Sequence, residues 1–369
     1  MSKSFFLVAL AGFAGLAVAG PFGNGNLVVV RVGDGTTARS GAANAVFLDE
    51  YTTAGTLVQS IPMPNVAGGT GGFTLSGTAT SEGALALSAD GRFITLGGYA
   101  AALGTATVSS SSSASVARVA ARVDMFGTID LSTTTTSFSG ASIRGVVTDD
   151  GTNFWMTGGN GGVRHTTFGG SGDAVQINTA GNTSTNLRNI NIYNGDLYFS
   201  SASASLRGVA GFTGLPTSPD TATTLITLPS TPAHSPYDFL FVSDSTVYIA
   251  DDSAAAGAGN LQRWDLISGV WTKSATFVPS LPANGLTRHV AGTVLPNGDV
   301  QMFITVEVGT GANSSSVLLS VLDSGGVATT TTLATAPAGT VFRGLEIVPA
   351  PGTLALLGLG GIIAGRRRR

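Results

Sequence analysis

Short runs in which apolar and polar residues alternate dominate this chain, and stretches with helical periodicity are scarce. The runs come in pairs across two-residue turns whose residues tolerate positive φ. These turns fall at Asp34-Gly35, Asp90-Gly91, Asp150-Gly151, Asn194-Gly195, Asp244-Ser245 and Asn297-Gly298. The steps between them are 56, 60, 44, 50 and 53 residues. A repeat of roughly fifty residues is near the length of a four-stranded propeller blade.

The flanking runs repeat as well. Arg92 to Leu96, Asn153 to Thr157, Asp196 to Ser200 and Thr246 to Ala250 each follow a turn directly, with an aromatic or β-branched centre. Further β-type runs complete most units, at Leu206 to Phe212 and Thr223 to Leu228 in the fourth, and at Leu261 to Leu266 and Val270 to Phe277 in the fifth. A second cue precedes the turns. It reads Ile143-Arg144-Gly145-Val146, Leu187-Arg188-Asn189-Ile190 and Thr287-Arg288-His289-Val290, and it returns at Phe342-Arg343-Gly344-Leu345 with no turn after it. The pattern predicts an all-β chain, a single β-propeller of six four-stranded blades, or seven if one repeat is too degenerate to show. Residues 20–348 form its body. Strand 342–348 is expected to pair into the blade begun at residues 26–33, which leaves the ring no open edge. A pair of β-sandwiches or a parallel β-helix is the competing architecture, though a β-helix needs shorter and stricter repeats.

The two ends have their own organisation. Residues 1–19 read as a signal peptide: Lys3, an uncharged run from Phe5 to Val18, and the small-x-small pattern of Ala17 and Ala19 before Gly20. Residues 349–369 have three parts. Pro349-Ala350-Pro351 breaks the preceding strand, and an apolar stretch follows with Leu354, Leu356, Leu357, Leu359, Ile362 and Ile363. Arg366, Arg367, Arg368 and Arg369 end the chain. As a helix, Pro349 to Gly365 spans only ~25 Å at 1.5 Å per residue, short for a permanent membrane span. This tail resembles the PEP-CTERM sorting signal, with Ala350 where that family most often has Glu. The resemblance covers residues 349–369. It implies a short transmembrane helix cut by an exosortase-type enzyme and delivery to the cell surface or matrix, in producers that usually make exopolysaccharide. The expected partners are therefore signal peptidase, that exosortase, the inner membrane transiently and an extracellular polysaccharide.

Composition narrows the chemistry. Net charge is −3 and only 11% of residues are charged, so nothing favours nucleic acid. With no cysteine, disulfides, thiolate metal sites and a cysteine nucleophile are excluded. His165, His234 and His289 lie far apart without metal-ligand spacing, and no nucleophile elbow, phosphate loop or dinucleotide motif occurs. No catalytic residue, metal or cofactor is expected. The acidic doublets Asp149-Asp150 and Asp251-Asp252 are the remaining enzymatic candidates, because a glycosidase needs paired carboxylates. The run Ser109 to Ser113 reads as a flexible low-complexity loop. Asn182-Thr183-Ser184 and Asn313-Ser314-Ser315 match a glycosylation pattern that arises readily by chance in such a chain. The expectation is a noncatalytic binding or scaffold propeller, exported through the inner membrane. The alternative is a secreted carbohydrate-active enzyme on the same scaffold.

Overall fold

The computed structural model describes residues 20–65, 72–178, 185–203, 206–277 and 285–349. Six antiparallel sheets follow one another along the chain, and their inner strands pack side by side in a closed ring. The result is a six-bladed β-propeller. From the axis outward, blade 1 holds Val341–Ile347, Leu27–Val32, Val46–Tyr51 and Leu57–Pro62. Blade 2 holds Leu85–Leu87, Phe93–Tyr99, Arg118–Asp124 and Thr134–Thr135, with Ile129–Asp130 beside the third strand. The inner strands of blades 3 to 6 are Ile143–Thr148, Leu187–Tyr193, Pro236–Ser243 and Gly285–Val294. Among the described residues, helix is limited to the 3-10 turns Val108–Ser110 and Gly311–Asn313, and no helix is long and apolar enough to cross a membrane.

Blade 1 joins the two ends of the chain. Val341–Ile347 is its inner strand and pairs antiparallel with Leu27–Val32, Leu27 facing Ile347 and Val32 facing Val341. Gly25 N–H donates to Val348 O and Val348 N–H to Asn26 O, both at 2.9 Å, so the pairing runs to the limit of each strand. Residues 1–19 and 350–369 lie outside the described residues, and with them the expected signal peptide and most of the sorting tail.

Five of the six predicted turns join an inner strand to the second strand of its blade. Asp34-Gly35 does not. It follows the second strand of blade 1, and Asp34 Oδ1 accepts from the N–H groups of Thr36 and Thr37 in a local turn. Leu27–Val32 is therefore a second strand and not the inner one. The inner strand of that blade is supplied by the far end of the chain.

The Ser109 to Ser113 run is also folded into the body rather than looping free. Arg118, fully buried, donates to Ser111 O, Val116 O and Ala141 O, and Gly140 N–H reaches Ser111 O. Ser113 N–H donates to Ser139 Oγ at 3.1 Å. A serine-rich segment is polar enough to stay outside a core, but here a buried arginine with several donors ties Ser111 to Val116 and Ala141.

The blades are held by apolar faces and by hydroxyl bonds between them. Thr95 Oγ1 donates to Val146 O at 2.6 Å, Thr157 Oγ1 to Arg188 O at 2.7 Å, and Ser200 Oγ to Tyr237 O at 2.7 Å. Each ties the second strand of one blade to the inner strand of the next.

Candidate functional site

In such a ring the inner strands all begin on one face, here termed the entry face, and reach their turns on the opposite, exit face. At the entry end five inner strands carry a register shift against their second strand. The shifts lie between Ile143 and Val146, Leu187 and Ile190, Pro236 and Asp238, and Thr287 and His289, and opposite Val29 to Arg31 in blade 1. A bulge breaks the two-residue alternation and re-aims a side chain. The residues at these shifts are Arg144, Arg188, Tyr237, Arg288 and Arg343. Blade 2, whose inner strand is only Leu85–Leu87, has no counterpart.

These side chains meet. Arg288 Nη1 and Arg343 Nη1 both donate to Glu307 Oε2, the latter at 2.5 Å. Arg288 Nε also lies 3.4 Å from Asp252 Oδ2. The Tyr237 ring takes two guanidiniums, Arg188 at 4.5 Å from its centroid and Arg288 at 5.5 Å. Arg144 Nη1 donates to Asn186 Oδ1 at 2.7 Å and to Leu187 O at 2.9 Å. Arg343 is 1% exposed, Tyr237 2% and Arg288 5%. Burial, together with the Arg188 charge, draws the Arg144 guanidinium down to about 10. Arg343 Nη2, Tyr237 Oη and Glu307 Oε1 have no hydrogen-bond partner.

One residue further along the channel, Asn189 Nδ2 donates to Asp238 Oδ1 at 2.5 Å, and Asp238 Oδ2 accepts from Val290 N–H at 3.1 Å. His289 Nδ1 stands 3.5 Å from the same carboxylate. The exit end is different in kind. Leu87, Ile192, Phe239, Phe241 and Val290 line a cavity of about 130 Å³ with Asn191 and Glu346. Burial, aided by Asp238, pushes the Glu346 carboxyl up to about 8.

A second cleft opens between blades 4 and 5, beside their inner turns. It encloses about 270 Å³ and is lined by Tyr193, Tyr198, Phe241 and Trp271 with Asn194, Asp196 and Asp244. Tyr193 and Phe241 stack at 4.6 Å, and Asn194 Nδ2 donates to Asp244 Oδ1 at 2.6 Å.

The acidic doublets are not paired sites. Asp149 Oδ1 accepts from the Asp150 and Asn153 N–H groups as a turn residue. Asp251 is buried against His234 Nδ1 at 2.5 Å and Ser235 N–H, while Asp252 turns toward Arg288. The three histidines occupy unlike positions: His165 in a third strand, His234 ahead of an inner strand, His289 within one. Among the described residues, no group of three or more His, Asp or Glu side chains is placed to hold a metal. Of the residues expected at processing sites, Gly20 exchanges hydrogen bonds with the Gln59 amide at 3.0 Å, and Pro349 directly follows the last bonded residue of blade 1. Ala17, Ala19, Ala350, Pro351 and the apolar and arginine residues of the tail lie outside the described residues. Arg144, Arg188, Arg288 and Arg343 entered the sequence reading only as a strand cue. Their recurrence at strand starts, in a chain poor in charge, was the signal that they occupy equivalent places in their blades.

No family model matches this chain, and no curated protein does. Among solved structures it is similar to the WD40 β-propeller domain of Doa1, at 9% identity over 90% of this chain and 97% of that one, with a TM-score of 0.41. It is also similar to YCF48 bound to D1 peptide, at 12% identity over 69% and 82% of the two chains, TM-score 0.38. An extracellular domain from a B. thetaiotaomicron two-component system aligns at 10% identity and TM-score 0.40; 85% of this chain is covered but only 34% of that one. Likeness at this level concerns the propeller fold alone.

Proposed function

We propose that this chain is an exported surface or matrix protein whose propeller binds an extracellular polysaccharide and acts as a scaffold without turning it over. The observation that carries the reading is the cleft between blades 4 and 5. Aromatic faces with flanking Asp and Asn side chains suit a sugar ring, whose C–H faces stack while its hydroxyls hydrogen-bond. At the entry end the axial carboxylates support binding over catalysis, since Glu307 and Asp252 are engaged by arginine and Asp238 by Asn189 and backbone N–H. Export rests on the sequence pattern of residues 1–19 and 349–369. The described body begins at Gly20, bonded to Gln59 of the outer strand of blade 1, and ends at Pro349, just past the Gly25–Val348 bond of the same blade.

The test is to produce the full chain in cells with and without an exosortase, then recover the surface fraction. Mass spectrometry should show a C-terminus lacking Arg369 only where the exosortase is present. The recovered protein should be retarded in gels containing the producer's polysaccharide, and Trp271→Ala should lose about tenfold in affinity, as expected for one stacked ring. An intact Arg369 on surface-exposed protein would overturn the sorting step. Unretarded migration of the native protein would overturn the polysaccharide reading.

A further inference from the structure

We infer that the entry mouth of the channel is an oxyanion-binding site formed by Arg144, Arg188, Arg288 and Arg343. The inference does not depend on the polysaccharide reading or on the blade 4 and 5 cleft.

Placement comes first. Four arginines and one tyrosine occupy matching bulges on five successive inner strands, so a repeated backbone device brings cationic groups from four blades to one axis. Charge balance comes second. Setting aside Lys3 and Arg366 to Arg369, thirteen of the eighteen Lys and Arg remain in the body, against twenty-one Asp and Glu. In that acidic body four of the thirteen cations gather at this one mouth. Arg39 stands behind Arg343, its guanidinium drawn down by burial and then by that neighbouring charge, and its donors are taken by Gly77 O, Ala312 O and Ser314 O; the acids beside the four are Glu307, Asp252 and Asp238. Glu82 faces the same cluster; it accepts from Tyr99 Oη at 2.6 Å and from Ser76 N–H at 2.9 Å, while burial raises its carboxyl above the ordinary range. Gathering buried cations is costly unless anions compensate them.

Free donors come third. Arg343 Nη2 has no partner although the side chain is 1% exposed, and Tyr237 Oη, on the ring flanked by two guanidiniums, has none either. By contrast Arg118, equally buried, has both Nη atoms bonded to carbonyls. Buried donors in native proteins nearly always find an acceptor. Guanidinium forks match the oxygen spacing of carboxylate, phosphate and sulfate. The shared ligand chemistry is therefore an oxyanion, held either as a free ion or as the acid group of a sugar.

Calorimetric titration of the full chain, at fixed ionic strength, separates these sources. Sodium phosphate probes a free ion and galacturonate an acidic sugar, with chloride and neutral galactose as baselines. Binding of either probe supports the site, and the preferred one names the source. Arg188→Gln and Arg144→Gln lie at the partly exposed rim, where the fold should tolerate them. Each should weaken binding about tenfold, the scale of one charge-assisted hydrogen bond, and Arg188→Lys should recover part of the loss. Circular dichroism establishes that each variant is folded. If neither probe gives heat above the chloride baseline, or if both folded glutamine variants bind like the native chain, the site is refuted.

Discussion

The two ends of the axial channel use the same strands for opposite chemistry. At the entry end, bulged strand starts gather arginines around one shared carboxylate, Glu307. At the exit end the same strands present apolar side chains around one carboxyl without a cation beside it, Glu346, which accepts from Ile347 N–H at 2.9 Å. Glu307 is surrounded by cations that need its charge. At Glu346, burial and the Asp238 charge disfavour ionisation more than backbone N–H groups favour it. A single substitution, glutamate to glutamine, should therefore have opposite signs at the two ends.

Glu307→Gln should give the largest effect. It leaves Arg288 and Arg343 without the negative charge they share, and breaking a buried ion pair on one side costs about 3–5 kcal/mol. A loss of about 3 kcal/mol in urea unfolding is expected at neutral pH. Added phosphate should return part of it, by supplying an anion to the same guanidiniums. A loss under about 1 kcal/mol would mean that the arginines are compensated elsewhere, and the contrast between the two ends would fail.

Glu346→Gln should act in the other direction and only in one pH window. The folded carboxyl is raised to about 8 from an ordinary value near 4.5, so the folded state holds a proton that the unfolded chain releases. Its contribution is full below about pH 4.5 and is lost as pH rises to about 8. Native stability should decline across that window, and the glutamine variant should flatten the decline, gaining about 2 kcal/mol at pH 8 once solvent in the open mouth is allowed for. Thermal unfolding at half-unit pH steps reads this directly. Parallel curves for the two proteins would place the Glu346 carboxyl in water.

Much of the ring was legible because hairpin turns have a local chemistry. Asp90-Gly91, Asp150-Gly151, Asn194-Gly195, Asp244-Ser245 and Asn297-Gly298 all mark the inner turn of a blade. Asp34-Gly35 has the same chemistry at a different connection, and its blade's inner strand lies at residues 341–347, too distant for any local signal. The serine run was misread for a related reason. Its composition is that of a loose loop, and its order comes from Arg118 and Ser139, outside the run. The arginine mouth was half legible. The Arg residues recur visibly at strand starts, but alternation alone cannot say where they point. A bulge decides that, and a bulge is set by pairing with the second strand.

The finest test of the contrast concerns what holds the entry end in shape. Thr157 Oγ1 accepts from Gly145 N–H at 3.1 Å and donates to Arg188 O, so one hydroxyl closes the bulge of blade 3 and fixes the bulge of blade 4. Ser200 repeats this with Asn189 N–H and Tyr237 O. Thr305 of blade 6 stands in the comparable place, and its Oγ1 has no partner. Thr157→Val keeps the shape and removes the hydroxyl, leaving a buried N–H and a buried carbonyl each short of a bond, at a cost of about 1–2 kcal/mol. Thr305→Val removes a hydroxyl that is already unpaired, so it should be neutral or slightly stabilising. Chemical denaturation of the two variants side by side measures the difference. Equal losses would show that the hydroxyls act through packing alone, and that the register of the arginine mouth is held by the strand ladders instead.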